Sequence, residues 1–361
     1  MSGPEFELVL ACCRSAFAGA RPDEVRPGAG ELSWAKFVRL CRRHRVQGIV
    51  AKALRKNGIS APAEAAEAIG RDALSIAALN LRFAAAGVRL LDAFNQGSIP
   101  LLFVKGLTLS ALAYGDPFVK MSSDVDILVE ARDLGAAAAL LTTLGYRPSA
   151  PAVESSSPAL ARWHARLKES IWLSSDGEVV IELHTRLADN PALVPNIGVT
   201  SPRQLVEIGS QGALPTLTTE DLFAYLCVHG ASSAWFRLKW IADLAALVHQ
   251  AGEEQIEGLY RSALARGAGR APAQALLLAD RLSLLSLPAD LRSEMERDPV
   301  NRLLAGIAFR ALTHEAEPTQ RSLGTVPIHL SQPLLLGGLR FKLGELVRQA
   351  REVSHRTWGV A

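Results

Sequence analysis

The middle of the chain contains one run that most constrains the fold. In Ser123–Val129, apolar and acidic residues alternate with a period of two, which is typical of a half-buried strand. Val125 and Ile127 fall on one face, and Asp124 and Asp126 fall on the other. Two carboxylates on one face of an apolar strand repel each other. The fold must therefore place positive charge against this strand.

Other strand patterns surround this run. Ile99–Lys105 is a β-rich apolar segment that ends at Gly106 and is followed by a helical pattern. The alternating runs Glu169–Leu173 and Glu178–His184 are separated by a loop containing Asp-Gly, which is a hairpin signal. The sequence therefore predicts a small sheet near the centre of the chain.

Helical spacing and abundant alanine and leucine dominate the flanking sequence, and only 6% of residues are aromatic. We expect an N-terminal helical region over residues 1–96, an α/β core over 97–200 and a helical C-terminal domain over 201–361. The predicted fold class is α+β and mostly helical, with a small mixed β-sheet between two helical regions.

The charge balance excludes some classes of protein. Lys and Arg total 39 against 36 for Asp and Glu, and a net charge of +3 over 361 residues does not predict an obligatory nucleic-acid partner.

No run approaches the ~18 apolar residues of a membrane span. The N-terminus carries acids where a signal peptide carries basic residues, and the four cysteines form no C-x-x-C pair. We expect a cytoplasmic protein that does not bind a membrane.

A third acid strengthens the case for a functional site. Glu182 and His184 share one face of the later strand, so Asp124, Asp126 and Glu182 converge if the two strands are neighbours. Three carboxylates favour a divalent cation, and Mg²⁺ prefers a few carboxylates completed by water and phosphate oxygens. The pattern predicts that these three acids are metal ligands and catalytic residues. We expect two Mg²⁺ ions at the site, and Mn²⁺ is the alternative metal. The competing interpretation is a solvent-facing strand that a nearby lysine neutralises.

The strand–glycine–helix pattern predicts a phosphate site. Gly106 allows a close backbone approach, and the N-terminus of the following helix offers amide donors. Lys105, Lys120 and Ser123 are the other predicted phosphate-binding residues. The competing interpretation of Gly106 is a simple helix cap.

Residues 99–184 resemble the polymerase β-like nucleotidyltransferase superfamily, whose pattern is an apolar strand, a glycine, a helix, acid-x-acid and a later acid. Over about residues 35–250, the chain more narrowly resembles a bacterial family of uncharacterised nucleotidyltransferases. Leu107 stands where the superfamily commonly has serine or glycine, and Lys120 stands where family members often have arginine. The motifs are Lys105-Gly-Leu-x-Leu, Tyr114-Gly-Asp-Pro, Asp124-Val-Asp-Ile-Leu-Val, Glu182-Leu-His, Tyr225-Leu-Cys-Val-His229-Gly and Arg237-Leu-Lys-Trp240-Ile-Ala-Asp243.

This resemblance implies an enzyme that moves an NMP from an NTP, with ATP as the expected donor, and releases pyrophosphate. The acceptor is a hydroxyl or similar group on a small metabolite, a peptide or a protein, and modification of a peptide is one candidate. The alternative is a non-catalytic nucleotide-binding or protein-interaction module, such as a sensor or a toxin–antitoxin-type partner.

Further residues are candidates for substrate or base contacts, and a buried structural network is the alternative for most of them. Basic residues around His44, and the group His164, Arg166 and Lys168, are weaker candidates for a phosphate rim. The stronger candidates are His184, His229, Trp235, Arg237, Lys239 and Asp243.

Overall fold

The computed structural model describes residues 3–18, 32–155, 157–322 and 324–358, which form 15 α-helices and seven β-strands. The strands are β1 (Leu102–Phe103), β2 (Val125–Leu128), β3 (Arg147–Ala150), β4 (Glu169–Leu173), β5 (Val180–His184), β6 (Arg203–Glu207) and β7 (Ala213–Leu217). The helices up to the end of the main sheet are α1 (Pro4–Ala18), α2 (Trp34–His44), α3 (Gln47–Lys56), α4 (Ala63–Gln96), α5 (Leu107–Tyr114), α6 (Leu134–Thr143) and α7 (Pro158–His164). The later helices are α8 (Thr219–Ser232), α9 (Leu238–Ala251), α10 (Ile256–Ala265), α11 (Ala271–Arg281), α12 (Ala289–Arg297), α13 (Pro299–Thr313), α14 (Val326–Ser331) and α15 (Leu339–Trp358).

The main sheet has five strands in the order β1-β2-β5-β4-β3. Strands β2 and β5 are parallel, and the other pairs are antiparallel. In the β2–β5 pair, Asp126 lies opposite Glu182, so their side chains leave the same face of the sheet. The mostly helical α+β fold with a small mixed sheet is confirmed, and the two acid-bearing strands are neighbours.

Strand β2 is buried along its whole length, so the expectation of a half-buried strand is wrong. Ile127 packs into a cluster with residues of α4 and α6 such as Phe83 and Leu141. On the opposite face, Leu128 packs into a second cluster with residues of α5 and α8. Because helices cover both faces, Asp126 is only 3% exposed and depends on partners within the protein.

The segment after residue 200 differs from the sequence prediction of helix. Strands β6 and β7 form an antiparallel hairpin. Gly209 and Gly212 have positive φ angles in its turn, and Val206 and Leu214 pack beside α4. The alternation around Val206 therefore reflects a strand with one buried face. One core cluster joins residues from all three predicted regions, and the boundaries at residues 96 and 200 stay a prediction.

Helix α4 is a single helix of 34 residues. Among the described helices, it alone is long and apolar enough to cross a membrane by length and composition. Phe83, Leu90 and Phe94 in its second half belong to the core cluster beneath the sheet, and Ala65 and Ile69 near its start belong to the other core cluster. This packing is that of a core helix in a globular protein.

Helices α8 and α9 are joined by a tight turn in which Ala234 and Trp235 have positive φ angles. The backbone N–H of Trp235 donates to the Gly230 carbonyl, and the indole ring lies directly over Gly230. A β-carbon at Gly230 would overlap that ring, so the glycine is required by packing.

We expect Gly230→Ala to destabilise the protein by about 1–3 kcal/mol through overpacking against Trp235. Gly70→Ala is the matched control, because Gly70 lies in α4 with open space around its missing β-carbon. The control should gain up to ~1 kcal/mol in helix propensity. Chemical denaturation of both variants checks this, and equal stability of Gly230→Ala and the wild type would contradict it.

Candidate active site

A solvent-open cleft of about 860 Å³ lies between the β2–β5 face of the sheet and helices α8 and α9. One side, the acidic pole, carries Asp124, Asp126, Glu169 and Glu182. Another part of the lining, the basic pole, carries Arg45, Lys120, Arg237 and Lys239. The cleft also contains Lys105, Gly106, Ser122, Ser123, Lys168, His229, Trp240 and Asp243.

Asp126 is the centre of the acidic pole. Lys105 Nζ lies 2.7 Å from Asp126 Oδ1, and His184 Nε2 lies 3.1 Å from the same oxygen. His184 Nε2 is also 3.5 Å from Glu182 Oε2. Lys105 thus supplies the positive charge that the sequence required against the strand, and it does so on the buried aspartate.

The two aspartates have opposite pKa shifts. Burial raises the pKa of Asp126, but the Lys105 ammonium and the hydrogen bond from His184 outweigh it and hold the pKa well below its usual range. Burial and the negative charge of Asp126 raise the pKa of Asp124 to about 6, although Ser123 Oγ donates a 2.7 Å hydrogen bond to it. Of these two aspartates, Asp124 is therefore the one whose charge the protein compensates less.

Burial lowers the pKa of His184, but its hydrogen bonds to Asp126 and Glu182 outweigh this effect, so the pKa lies above its ordinary value. The ring is fully buried between the carboxylates. The raised pKa thus reflects the carboxylates that lie next to the ring.

A group of side chains in the acidic pole fits a divalent cation. Asp126, Glu182 and His184 each bring one ligand atom within 4.8 Å of the others. Asp126 Oδ2 is buried and has no hydrogen-bond partner among the described residues, which is consistent with an oxygen that a cation would satisfy. The sequence predicted Asp124 as the third ligand, whereas His184 takes that place in the group and Asp124 stands beside it.

The basic pole is built around a shared carboxylate. Lys120 Nζ lies 3.5 Å from Asp243 Oδ2, and the Tyr114 hydroxyl donates to Asp243 Oδ1 at 2.9 Å. Lys239 lies in the same cleft but has no hydrogen-bond or ion-pair partner within the described part of the chain. Burial and the charge of Lys120 lower the pKa of Lys239 to about 7, against the attraction of Asp243. The pole therefore holds more cations than anions in a buried setting, which favours an anionic ligand.

Gly106 forms the turn between β1 and α5 with φ 65° and ψ −121°. Gly106 is also the N-cap of α5, and residues with a β-carbon rarely adopt this conformation, so serine or asparagine would be strained at this cap. The Ser122 hydroxyl lies next to this turn, is buried, and has no hydrogen-bond partner among the residues described. The turn thus brings a free hydroxyl and a backbone bend to the edge of the acidic pole.

A family described as uncharacterised nucleotidyltransferases matches residues 30–283, which is more than half of the chain. The chain belongs to this family. The chain has no significant match among curated proteins. The family contains nucleotidyltransferases, and the protein is an enzyme of that class.

Glu169 is a residue of this nucleotidyltransferase that sequence reasoning missed. Strand β4 pairs with β5 so that Glu169 lies opposite His184, and Glu169 Oε2 is 3.3 Å from His184 Nδ1. Lys168 forms an ion pair with the same carboxylate. The hairpin signal predicted the pairing of the strands, but the register that brings Glu169 to His184 follows only from the loop length and packing.

The helical candidates of the nucleotidyltransferase divide into two groups. His229, Arg237, Lys239 and Asp243 line the cleft as expected for contact residues. Trp235 does not, because its side chain is fully buried under the α8–α9 turn. Trp240 is the aromatic residue that reaches the cleft, with its ring edge-on to the His229 and Phe236 rings.

The weaker candidates for a phosphate rim are mostly structural. His44 is buried and its Nδ1 accepts a hydrogen bond from the backbone N–H of Leu238. His164 is buried between Ser170 and Thr185. Arg45, the residue after α2, lines the cleft, and so does Lys168.

The two aspartates should respond differently to neutral substitution without metal or nucleotide. Asp126→Asn leaves Lys105 and His184 without their shared carboxylate, so we expect a loss of stability of about 3–5 kcal/mol. Asp124→Asn removes a repelled charge and should be neutral or stabilising. Thermal denaturation of both variants measures the contrast, and equal melting temperatures would contradict the central role of Asp126.

The pH dependence of the stability of Asp124→Asn gives a second test of how weakly the charge of Asp124 is compensated. The pKa of Asp124 rises on folding from 3.8 to about 6, so its protonated form stabilises the wild type at low pH and this contribution is lost as pH rises toward 6. The stability of Asp124→Asn relative to the wild type should therefore grow by about 1–3 kcal/mol between pH ~4 and pH ~7, then stay constant.

Proposed function

We propose that this nucleotidyltransferase transfers an NMP from an NTP, with ATP as the expected donor, to a hydroxyl or similar acceptor and releases pyrophosphate. The acceptor group belongs to a small metabolite, a peptide or a protein. One observation carries the proposal: a single cleft contains both the acidic pole and the basic pole. A metal–triphosphate ligand has the matching distribution of charge.

The residues of the acidic pole fit the role of cation ligands. Asp126 and Glu182 would hold a divalent cation, for which Mg²⁺ and Mn²⁺ are the candidates, and Asp124 stands close enough to add a further carboxylate charge. When bound, such a cation neutralises charge on the phosphate oxygens and on the leaving pyrophosphate. The orphan oxygen of Asp126 supports this assignment.

The basic pole would bind the β- and γ-phosphates. Lys239 and Lys120 share a single carboxylate, so one positive charge remains for the triphosphate. Ser122 offers a hydroxyl donor beside Gly106, where Leu107 has replaced the serine common in the superfamily. These contacts orient the α-phosphorus toward the acidic pole.

Glu182 would act on the acceptor. Its carboxylate is partly exposed in the cleft and lies next to the buried Asp126. In the transfer step, the acceptor oxygen forms a bond to the α-phosphorus while the bond to the bridging α–β oxygen breaks. The acceptor proton passes to Glu182, and the electron pair leaves with pyrophosphate.

Trp240 is the candidate for contact with the base. Its ring is partly buried at the cleft, and the Arg237 guanidinium lies 5.8 Å from the ring centroid. An aromatic face stacks on any base with little preference, so this residue supports nucleotide binding without fixing the identity of the NTP. The proposed location is the cytoplasm, where the four buried cysteine thiols stay reduced.

The function is tested by pyrophosphate release from each NTP in the presence of a divalent cation and pooled metabolites or peptides. We expect Glu182→Gln to retain NTP binding but to lower turnover by ~100-fold or more, since it acts in the transfer step. Glu178→Gln is the matched control, because Glu178 is an exposed acid that pairs with Arg82 outside the cleft. Nucleotide binding without pyrophosphate release, for any acceptor, would instead support the non-catalytic binding module.

The basic pole gives an independent prediction. Lys239→Met should raise the Kd for NTP about tenfold, or about 1.4 kcal/mol, without loss of stability, because it removes a buried cation that has no hydrogen-bond or ion-pair partner among the described residues. Lys52→Met, which breaks an ion pair with Asp116 away from the cleft, should leave the Kd unchanged.

The pH dependence of binding provides a further readout of Lys239. The pKa of Lys239 is about 7, so wild-type affinity for NTP should fall as the pH rises from ~7 to ~9 and the ammonium loses its proton. Lys239→Met should show a smaller decline. Isothermal titration calorimetry measures both effects, and identical Kd values for wild type and variant would remove Lys239 from the phosphate site.

A further inference from the structure

We propose that the metal site of this nucleotidyltransferase has a nitrogen ligand, His184 Nε2, beside the carboxylates of Asp126 and Glu182. This donor set selects a first-row transition-metal ion such as Mn²⁺ over Mg²⁺. The inference deepens the proposed function, because the cation would occupy the same acidic pole. It differs from the all-carboxylate site that the sequence predicts.

The positions of the three side chains support the site. His184 Nε2 lies 3.1 Å from Asp126 Oδ1 and 3.5 Å from Glu182 Oε2. The ligand atoms of the three residues fall within 4.8 Å of one another, so a single ion reaches all of them after small side-chain adjustments. Asp126 Oδ2 is buried, has no hydrogen-bond partner in the described ranges, and belongs to a residue that lines the cleft.

Glu169 fixes which nitrogen of His184 faces the metal. Glu169 Oε2 lies 3.3 Å from His184 Nδ1, and Lys168 pairs with this carboxylate and holds it in place. Nε2 donates to Asp126 in this structure, and Nδ1 makes no hydrogen bond among the described residues. A bound cation would displace the hydrogen on Nε2, and Glu169 would then accept a hydrogen bond from Nδ1. The lone pair of Nε2 in the neutral ring then points between Asp126 and Glu182. Metal-binding histidines commonly have a carboxylate behind the ring in this way.

The charge of the acidic pole favours the same conclusion. Lys105 already neutralises one oxygen of Asp126 at 2.7 Å, which leaves less negative charge for a hard cation. Mg²⁺ prefers oxygen ligands and an octahedral shell rich in water, whereas imidazole nitrogen suits first-row transition-metal ions. The imidazole nitrogen of His184 is therefore the donor that favours Mn²⁺ over Mg²⁺.

The experiment uses the full chain without nucleotide and titrates Mn²⁺ alone, with free Mn²⁺ followed by electron paramagnetic resonance. We expect binding at least tenfold tighter than that of Mg²⁺ measured by competition. Electron spin-echo modulation of bound Mn²⁺ should show coupling to a nitrogen nucleus. This spectroscopic result needs no variant, so it stands even if substitutions at the buried His184 impair folding.

Two variants and one control complete the test. His184→Gln should lose the nitrogen coupling and most of the preference for Mn²⁺. Glu169→Gln should keep the coupling but weaken Mn²⁺ binding about 10–100-fold, because Glu169 positions the ring. His164→Gln is the matched control, since His164 is a buried histidine held by Ser170 and Thr185 away from the cleft. It should behave as the wild type.

Tight Mn²⁺ binding without nitrogen coupling, or equal affinity for Mg²⁺ and Mn²⁺, would overturn the inference. These outcomes are separate from the proposed function, because no NTP is present. A nitrogen-coordinated Mn²⁺ without any pyrophosphate release would overturn the transfer reaction alone. Pyrophosphate release supported by a cation without nitrogen coupling would overturn the donor set alone.

Discussion

The structure depends on how it stabilises one buried carboxylate. Asp126 lies in the centre of the sheet with helices on both faces, where an unpaired charge is strongly destabilising. Lys105 and His184 supply the compensating hydrogen bonds and charge, and the parallel pairing of β2 and β5 places Glu182 alongside. Among the described residues, the second oxygen of Asp126 has no hydrogen-bond partner, so the carboxylate that the fold has to stabilise is also the centre of the candidate cation site.

The basic pole of the cleft is formed by segments that are distant from one another in the sequence. Tyr114 at the end of α5 donates to Asp243 of α9, and Lys120 pairs with the same carboxylate. This network connects the strand–glycine–helix unit to the helical C-terminal part of the chain. Lys239 lies in the same cleft, without a hydrogen-bond or ion-pair partner among the described residues. The motifs around Tyr114 and Asp243 are therefore parts of one contact.

The strand patterns and the helical spacing predicted the mixed sheet and the mostly helical surroundings. Asp126 and Glu182 were expected to converge only if their strands were neighbours, and the pairing of β2 with β5 meets that condition. The same patterns could not distinguish Trp235, which is buried, from Trp240, which reaches the cleft, because both follow apolar helical spacing. They also misjudged residues 203–217, where a hairpin replaces the expected helix. In that segment, local alternation competes with weak helical spacing, and packing against α4 decides between them.

The sequence by itself determined the face on which each strand residue lies, because a period of two follows from the backbone geometry of an extended chain. It thereby placed Asp124, Asp126, Glu182 and His184 on common faces and provided the family resemblance. Only the tertiary structure decided that Lys105 pairs with Asp126, that Glu169 lies behind His184, and that Asp124 is less compensated than Asp126. These features depend on strand register, burial and distances between remote segments, which no local periodicity specifies.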